Sequence, residues 1–346
     1  MEYRQLGRTD EKLSAIGLGT MTWGEQNTEA EGHEQMDYAL DQGINLFDAA
    51  ELYPIPRKAE TQGRTEEIIG TWFKARNTRD KVFLASKIIG RSDATWFRKD
   101  GSTGTLTRAQ IFEAVESSLH RLQTDVIDLY QIHWPDRPIK RFGPLEFGRH
   151  ERIGEPIEET LEVLGELVAQ GKIRYIGLSN ETAWGTMEFL KYAQTKGLPR
   201  LQSIQNAYNL TNRSFEVCQS EITFHEDVGL LAYSPLAQGY LTGKYENGAL
   251  PEGTRKTLFN QLGRYEKPGA AAAFTKYIAL ARDHGLTPAQ LALQFVTTRW
   301  FVTSNLIGAT SMDQLKENID SVNVKWTDEL EQACFEIHQI HSNPCP

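Results

Sequence analysis

The chain has 346 residues, with 46 acidic side chains against 37 basic ones and a formal net charge of −9. That balance disfavours nucleic acid and anionic membrane surfaces as partners, and no run of about 18 apolar residues offers a membrane span. The charged opening MEYRQLGRTDEKL lacks a secretory apolar segment, and Cys218, Cys334 and Cys345 are too scattered for a disulfide framework, so a reducing, cytoplasmic setting is expected.

The chain opens on a short hairpin, expected over 3–6 and 12–15 around Gly7-Arg-Thr-Asp10. A first strand over 16–20 leads to a helix over 32–42, announced by the capping-box pair Thr28 and Glu31. Strand 45–50 precedes helix 66–76. Strand 82–88 precedes helix 108–121, with a second capping pair at Thr107 and Gln110. Strand 127–133 precedes helix 158–169, strand 173–180 precedes helix 182–194, and strand 201–208 precedes helix 214–225. Strand 229–236 follows, then a third capping pair, Thr287 and Gln290, with Pro288 at the first helical position, where its missing N–H costs nothing. The eighth strand, 305–309, runs into helix 312–321 behind Ser311 and Gln314. After Thr327 an amphipathic helix closes the chain, with Leu330, Cys334, Ile337 and Ile340 on one side.

Eight apolar strands alternating with amphipathic helices predict a closed (β/α)8 TIM barrel, one α/β domain over 1–346. Several strands read as continuous Val, Ile, Leu, Phe and Tyr text, as parallel strands covered by helices do. The other architecture with this order, an open doubly wound sheet, wants a glycine-rich phosphate turn after its first strand. Gly17-Leu-Gly19-Thr-Met-Thr22 carries threonine where the third glycine belongs. Connections 89–106, 134–156 and 237–270 exceed the roughly 12–15 residues beyond which loops tend to be functional. All three follow strands, so on a barrel they open on the catalytic face. The hairpin is expected to plug the opposite end.

Three strand texts stop on titratable groups: Asp48, with Tyr53 five residues on, then Lys87 and His133. Singly, each has an ordinary reading as a turn residue or a solvated charge. Together they stand where apolar text should continue. With alternate residues facing one side, Lys87 and His133 both end inner rows. A carboxylate, a phenol, an ammonium and an imidazole, unaccompanied by HExxH, HxH or GxSxG, suit proton delivery to a carbonyl whose carbon receives hydride from elsewhere. In this scheme Asp48 holds Lys87 charged, the ammonium lowers the phenol pKa of Tyr53, and His133 orients the carbonyl oxygen. Ser179, Asn180 and Gln205 are candidate partners for a nicotinamide amide, and Tyr233 for its face, although a core aromatic is an equal reading. The turn-rich stretch Ser234–Lys244 can hold a pyrophosphate on backbone N–H groups, with Lys244 adding charge. Trp23 and Trp134, which follow the first and fourth strands, are expected as substrate-pocket walls, and Trp184 as helix packing. His338-x-x-His341 reads as a solvated helix end, and no metal site is expected.

Taken together, GLGTMTWG, INLFDAAELYP, GRTEEIIG, FLASKI, LHRLQTDVIDLYQIHWPD, GKIRYIGLSN, LLAYSPLAQGYLTGKY and LIGATSMDQLKENI resemble the aldo-keto reductases over nearly the whole chain. The pattern is nearest the bacterial Tas-like branch related to potassium-channel β subunits. The resemblance implies a (β/α)8 barrel holding NADP(H) without a Rossmann domain, a small carbonyl substrate, and Asp48, Tyr53, Lys87 and His133 as the tetrad, with Tyr53 the general acid. It implies cofactor contacts from Thr20, Met21, Ser179, Asn180, Gln205 and Tyr233. The pyrophosphate loop would add Ser234, Pro235, Leu236, Gln238, Gly239, Leu241 and Lys244. Gly308, Thr310, Gln314 and Asn318 would take the adenosine end. Many relatives begin that last segment Lys–Ser and follow with an arginine for the 2′-phosphate; here Gly308, Ala309 and Gln314 stand instead. The channel-subunit likeness also implies an alternative, an NADPH-holding redox-sensing subunit with little turnover.

Overall fold

The computed structural model describes residues 1–139, 151, 153–260 and 262–346. In chain order the strands are β1 (Tyr3–Gln5), β2 (Lys12–Ser14), β3 (Ile16–Gly19), β4 (Leu46–Asp48), β5 (Phe83–Ile88), β6 (Ile127–Ile132), β7 (Ile173–Ser179), β8 (Leu201–Ala207), β9 (Gly229–Tyr233) and β10 (Val302–Ile307). The helices are α1 (Glu29–Asp41), α2 (Arg64–Arg76), α3 (Arg108–Leu122), α4 (Ile157–Ala169), α5 (Ala183–Lys196), α6 (Phe215–Glu226), α7 (Arg255–Phe259), α8 (Ala270–Asp283), α9 (Pro288–Thr297), α10 (Met312–Asp320) and α11 (Asp328–Ile340). Strands β3 to β10 close into a barrel, each pairing in parallel with its neighbour and β10 returning to β3. This is the (β/α)8 barrel, with the antiparallel pair β1–β2 outside it.

The barrel interior is packed by Leu46, Phe83, Ala85, Leu129, Leu231 and Leu306 from the strands, together with Leu6 and Leu13 from the hairpin. Those two leucines show how the hairpin fills one end, as its position before β3 suggested. The other strand faces pack outward against the helices in one continuous apolar layer. β5 and β6 are therefore buried along their whole length, which explains their uninterrupted apolar text.

Differences from the sequence reading have local causes. α1 starts at Glu29, directly behind the Thr28–Glu31 capping box, which forms. The Thr107–Gln110 box does not form, because the Gln110 amide is spent on the preceding connection, accepting from Thr105 N and Arg98 Nε. At Ser311 half a box forms: its hydroxyl accepts from Gln314 N while the Gln314 amide oxygen takes Thr310 N. The connection 237–270 contains the short helix α7, which no periodicity marked. Connection 134–156 lies in part outside the described residues. Trp184 is not packed inside but 59 % exposed, with the Arg137 guanidinium over its ring. Among the described residues no helix is long and apolar enough to cross a membrane.

Candidate active site

The carboxyl ends of the barrel strands open on a cavity of about 1100 Å³. Several inner strand rows end in polar groups there, above an interior filled with apolar side chains. Asp48 closes β4, Lys87 is the penultimate residue of β5 and His133 follows β6. The Lys87 ammonium is wholly buried, 2.5 Å from Asp48 Oδ2, and donates also to Ala49 O at 2.7 Å. The second Asp48 oxygen accepts from Gln205 Nε2 at 2.8 Å and Gln131 Nε2 at 3.1 Å. A buried carboxylate thus has both oxygens occupied, as its desolvation requires.

Tyr53 sits above this pair. Its ring lies 5.0 Å from the Lys87 ammonium and meets the His133 ring edge to face, with centroids 5.8 Å apart. His133 in turn packs against Trp134, which lines the cavity and donates its indole N–H to Arg91 O. The structure therefore brings Asp48, Tyr53, Lys87 and His133 to one rim.

One electrostatic expectation is corrected. The phenol of Tyr53 is pushed up, not down, from its ordinary range, first by burial and then by the Asp48 carboxylate, with Arg255 opposing. The Lys87 charge is already met by Asp48 and leaves little for the phenol. Burial lowers the Lys87 ammonium, while Asp48 pulls the other way. A phenol held protonated is still an adequate donor, because an alkoxide is the stronger base and the transfer runs downhill.

Elsewhere on the cavity lining, Ser179 closes β7 and Asn180 follows it, Gln205 belongs to β8, and Tyr233 closes β9. Asn180, at φ 52°, donates to His133 O and accepts from the Tyr233 hydroxyl at 2.5 Å. Gln205 lines the cavity, yet its amide nitrogen rests on Asp48 rather than pointing free. Thr20, Met21, Ser234, Pro235, Leu236, Gln238, Gly239 and Lys244 also line it, as do Gly308, Thr310, Gln314 and Asn318 at the β10 end. Gly239 sits at φ 99°, where a Cβ would fall 2.4 Å from Lys244 Cε, so glycine is what lets the lysine stem lie across the loop.

Two expected residues fall elsewhere. Trp23 is a correction: it does not wall the pocket but is fully buried under α1, its indole donating to Gln35 Oε1 at 3.0 Å. Leu241 does not line the cavity; its side chain is in the core and its amide is spent on Leu236 O. Two residues escaped the sequence reading. Gln131 braces Asp48, and its place on the inner row of β6 was the available signal. Arg255, from α7, enters the cavity beside Met21, its guanidinium 3.6 Å from Met21 Sδ. Burial lowers both Arg255 and Lys244, and Arg255 lowers Lys244 further. Among the described residues neither forms an ion pair with a carboxylate. Two close cations without an ion-paired carboxylate are arranged to favour an anion. The donor set fits a phosphate-bearing dinucleotide: amide groups and an aromatic face near the tetrad, a cationic loop beyond.

The model of the aldo/keto reductase family matches residues 15–338. The chain is 47 % identical to "Protein tas" of Escherichia coli (strain K12) over 349 aligned residues, covering all of both chains. It is 39 % identical to "Aldo-keto reductase" of Babesia bovis over 75 % of this chain and 96 % of that one. It is also 29 % identical to "Probable voltage-gated potassium channel subunit beta" of Arabidopsis thaliana over 94 % of this chain and 92 % of that one.

Proposed function

The chain belongs to the aldo/keto reductase family, whose members are carbonyl-reducing oxidoreductases, and from that premise we propose that it reduces aldehydes or ketones to alcohols with NADPH and with Tyr53 as the acid. When bound, NADPH supplies the hydride. Ser179, Asn180 and Gln205 would hold its carboxamide, Tyr233 its ring face, and the 234–244 loop with Lys244 and Arg255 its pyrophosphate. The observation that carries the reading is the placement of Tyr53 and His133 at the rim of a cavity that continues to those two cations.

In this reading Tyr53 keeps its proton until oxyanion charge develops, His133 fixes the angle of the substrate oxygen, and Trp134 and Leu52 exclude water from one side. Lys87 and Asp48 stay paired beneath, so the pocket floor carries no net charge that would favour the ground state. At the adenosine end the supports are the N-terminus of α10 and the hydroxyl of Thr310. No Lys or Arg lines that end among the described residues, and Glu317 does. The preference for NADPH over NADH is therefore modest. The three free cysteines suit the cytosol as its compartment.

A second reading, a cofactor-holding regulatory subunit, takes support from the plant relative's name and from exposed Val217, Phe224 and Trp300 on one face. Steady-state NADPH oxidation against a panel of aromatic and aliphatic aldehydes tests both. Turnover of about 1 per second or more on some substrate is expected of the reductase, and rates under about 0.01 per second on all would favour the subunit.

A further inference from the structure

Glu51 lies between Asp48 and Tyr53, on the short turn that carries the phenol away from the end of β4. The turn continues the β4–β5 ladder for two rungs. Ala49 N–H donates to Ala85 O at 2.8 Å, and Glu51 N–H donates to Lys87 O at 3.1 Å. The next rung of a parallel ladder would bring Ile89 N–H to the Glu51 carbonyl. Here the Glu51 carboxylate takes that donor instead, at 2.8 Å, and the carbonyl turns away to accept from Gln62 Nε2 at 2.6 Å. A side chain substitutes for backbone where the chain leaves the barrel.

That carboxylate is 2 % exposed. Its charge is met by Arg98, whose Nη1 reaches Oε2 at 2.9 Å and whose Nη2 reaches Oε1 at 3.2 Å. Arg98 rides on the long connection between β5 and α3 and is steadied from behind by Gln110 Oε1. Its neighbour Phe97 packs with Leu52, Ile89 and Trp134 in an apolar cluster that Tyr53 joins. One ion pair therefore ties the loop supporting the pocket wall to the turn holding the phenol.

We infer that Glu51 and Arg98 are positioning residues for Tyr53, locking the 89–106 connection to the acid's turn so that phenol and Trp134 wall keep one geometry. The inference rests on Tyr53 being the acid. A buried ion pair is poor evidence for stability by itself, but removing one partner strands the other's charge. A stranded Glu51 would pull away from this dry site and take the Ile89 rung with it, a stranded Arg98 would draw the 89–106 connection off the turn, and small misplacements of a reacting group are costly in rate.

The test uses the full chain with NADPH and 4-nitrobenzaldehyde, comparing Arg98→Met, Arg98→Lys, Glu51→Gln and the double variant Glu51→Gln/Arg98→Met. Expected for Arg98→Met is a fall in kcat of more than about fivefold with the NADPH Kd within about threefold, and faster hydrogen exchange at the amides of Tyr53 and Ile89. The double variant, with no stranded charge and an amide still able to accept from Ile89, should recover part of that kcat. A pair that only added stability would lower the melting temperature and leave kcat of the folded protein alone. A smaller fall in kcat, or a double variant showing the product of the single losses, overturns the inference. If Arg98→Met does not fold, Glu51→Gln, which strands the Arg98 charge, is held to the same criteria, and Arg98→Lys, which keeps a cation opposite Glu51, should lose less kcat than either. Should the wild type bind NADPH but reduce no aldehyde, the proposed reaction fails separately, and unchanged exchange at Tyr53 in Arg98→Met still overturns the positioning role.

Discussion

The two ends of the cavity follow opposite electrostatic plans. At the tetrad, the buried charges are settled within the protein: Lys87 lies on Asp48, and Gln131 and Gln205 take the remaining carboxylate oxygen. At the far end, Lys244 and Arg255 stand close together with no carboxylate in an ion pair among the described residues. The first arrangement is complete without ligand and gains nothing by binding more charge. The second is left incomplete, and an anion would complete it. On the proposed function, a site that holds a charged dinucleotide and delivers only a proton to a neutral carbonyl would need this division.

The largest effect belongs to the neutral end. Tyr53→Phe keeps the ring against His133 and removes only the proton. Turnover should fall by about 10²–10⁴, while the Kd for NADPH, measured by fluorescence quenching, stays within about threefold. A parallel loss of cofactor affinity would mean that the ends are not separate. Next comes Lys87→Met, which strands Asp48 in a site that is 3 % exposed. Urea unfolding should show a loss of about 3–5 kcal/mol, and Asp48→Asn added to it should restore most of that. No recovery in the double variant would mean the ammonium acts on something besides the carboxylate.

The charged end predicts the reverse pairing of stability and binding. Arg255→Met should weaken NADPH by roughly 10–100-fold, the worth of one charge-assisted hydrogen bond of about 1.5–3 kcal/mol. The ligand-free protein should be no less stable, and up to about 1 kcal/mol more so, because a desolvated cation has gone. Thermal melts with and without NADPH read both quantities. A destabilised ligand-free variant would show that Arg255 has a structural partner. Smaller again is the ratio of the two cofactors. With a helix N-terminus and a hydroxyl but no lining cation at the adenosine end, NADPH should bind about tenfold tighter than NADH, near 1.4 kcal/mol, and equal Kd values would remove the 2′-phosphate from the reading.

What the sequence disclosed follows the same division. Asp48, Lys87 and His133 were legible because each interrupts apolar strand text, and strand period alone decides which way a residue at a strand end faces. The barrel was legible for the same reason, since eight buried strands write eight apolar runs. Trp23 was misplaced because an indole just past a strand reads alike whether it bends into the cavity or under α1. Arg255 was hidden because its approach depends on how a long connection returns, and no period governs that. The Glu51–Arg98 pair joins residues 47 positions apart, across a loop whose course is set by tertiary contacts. The Thr107–Gln110 signal was present but lost to a competing use of the same amide.

The smallest expected effect is an absence, and it bears on how the phenol is kept ready. Two shifts of opposite sign meet at the tetrad. Burial disfavours the ammonium, so Lys87 releases its proton below the ordinary lysine value of 10.5; burial and Asp48 disfavour phenolate, so Tyr53 keeps its proton above the ordinary 10.0. For Tyr53 the folded pKa is raised, so its contribution to stability is whole below pH 10.0 and erodes only as pH climbs toward the folded value. For Lys87 the folded pKa is lowered, so its contribution is whole above pH 10.5 and is lost as pH falls through the folded value. Rising pH therefore reaches the ammonium before the phenol. A tyrosinate absorbance titration of the wild type should overlay that of Tyr53→Phe up to pH 10.0, with the difference of one phenol appearing only beyond it. An excess of tyrosinate in the wild type at lower pH would mean that the ammonium does govern the phenol, and that the neutral end of the cavity is less neutral than its hydrogen bonds make it.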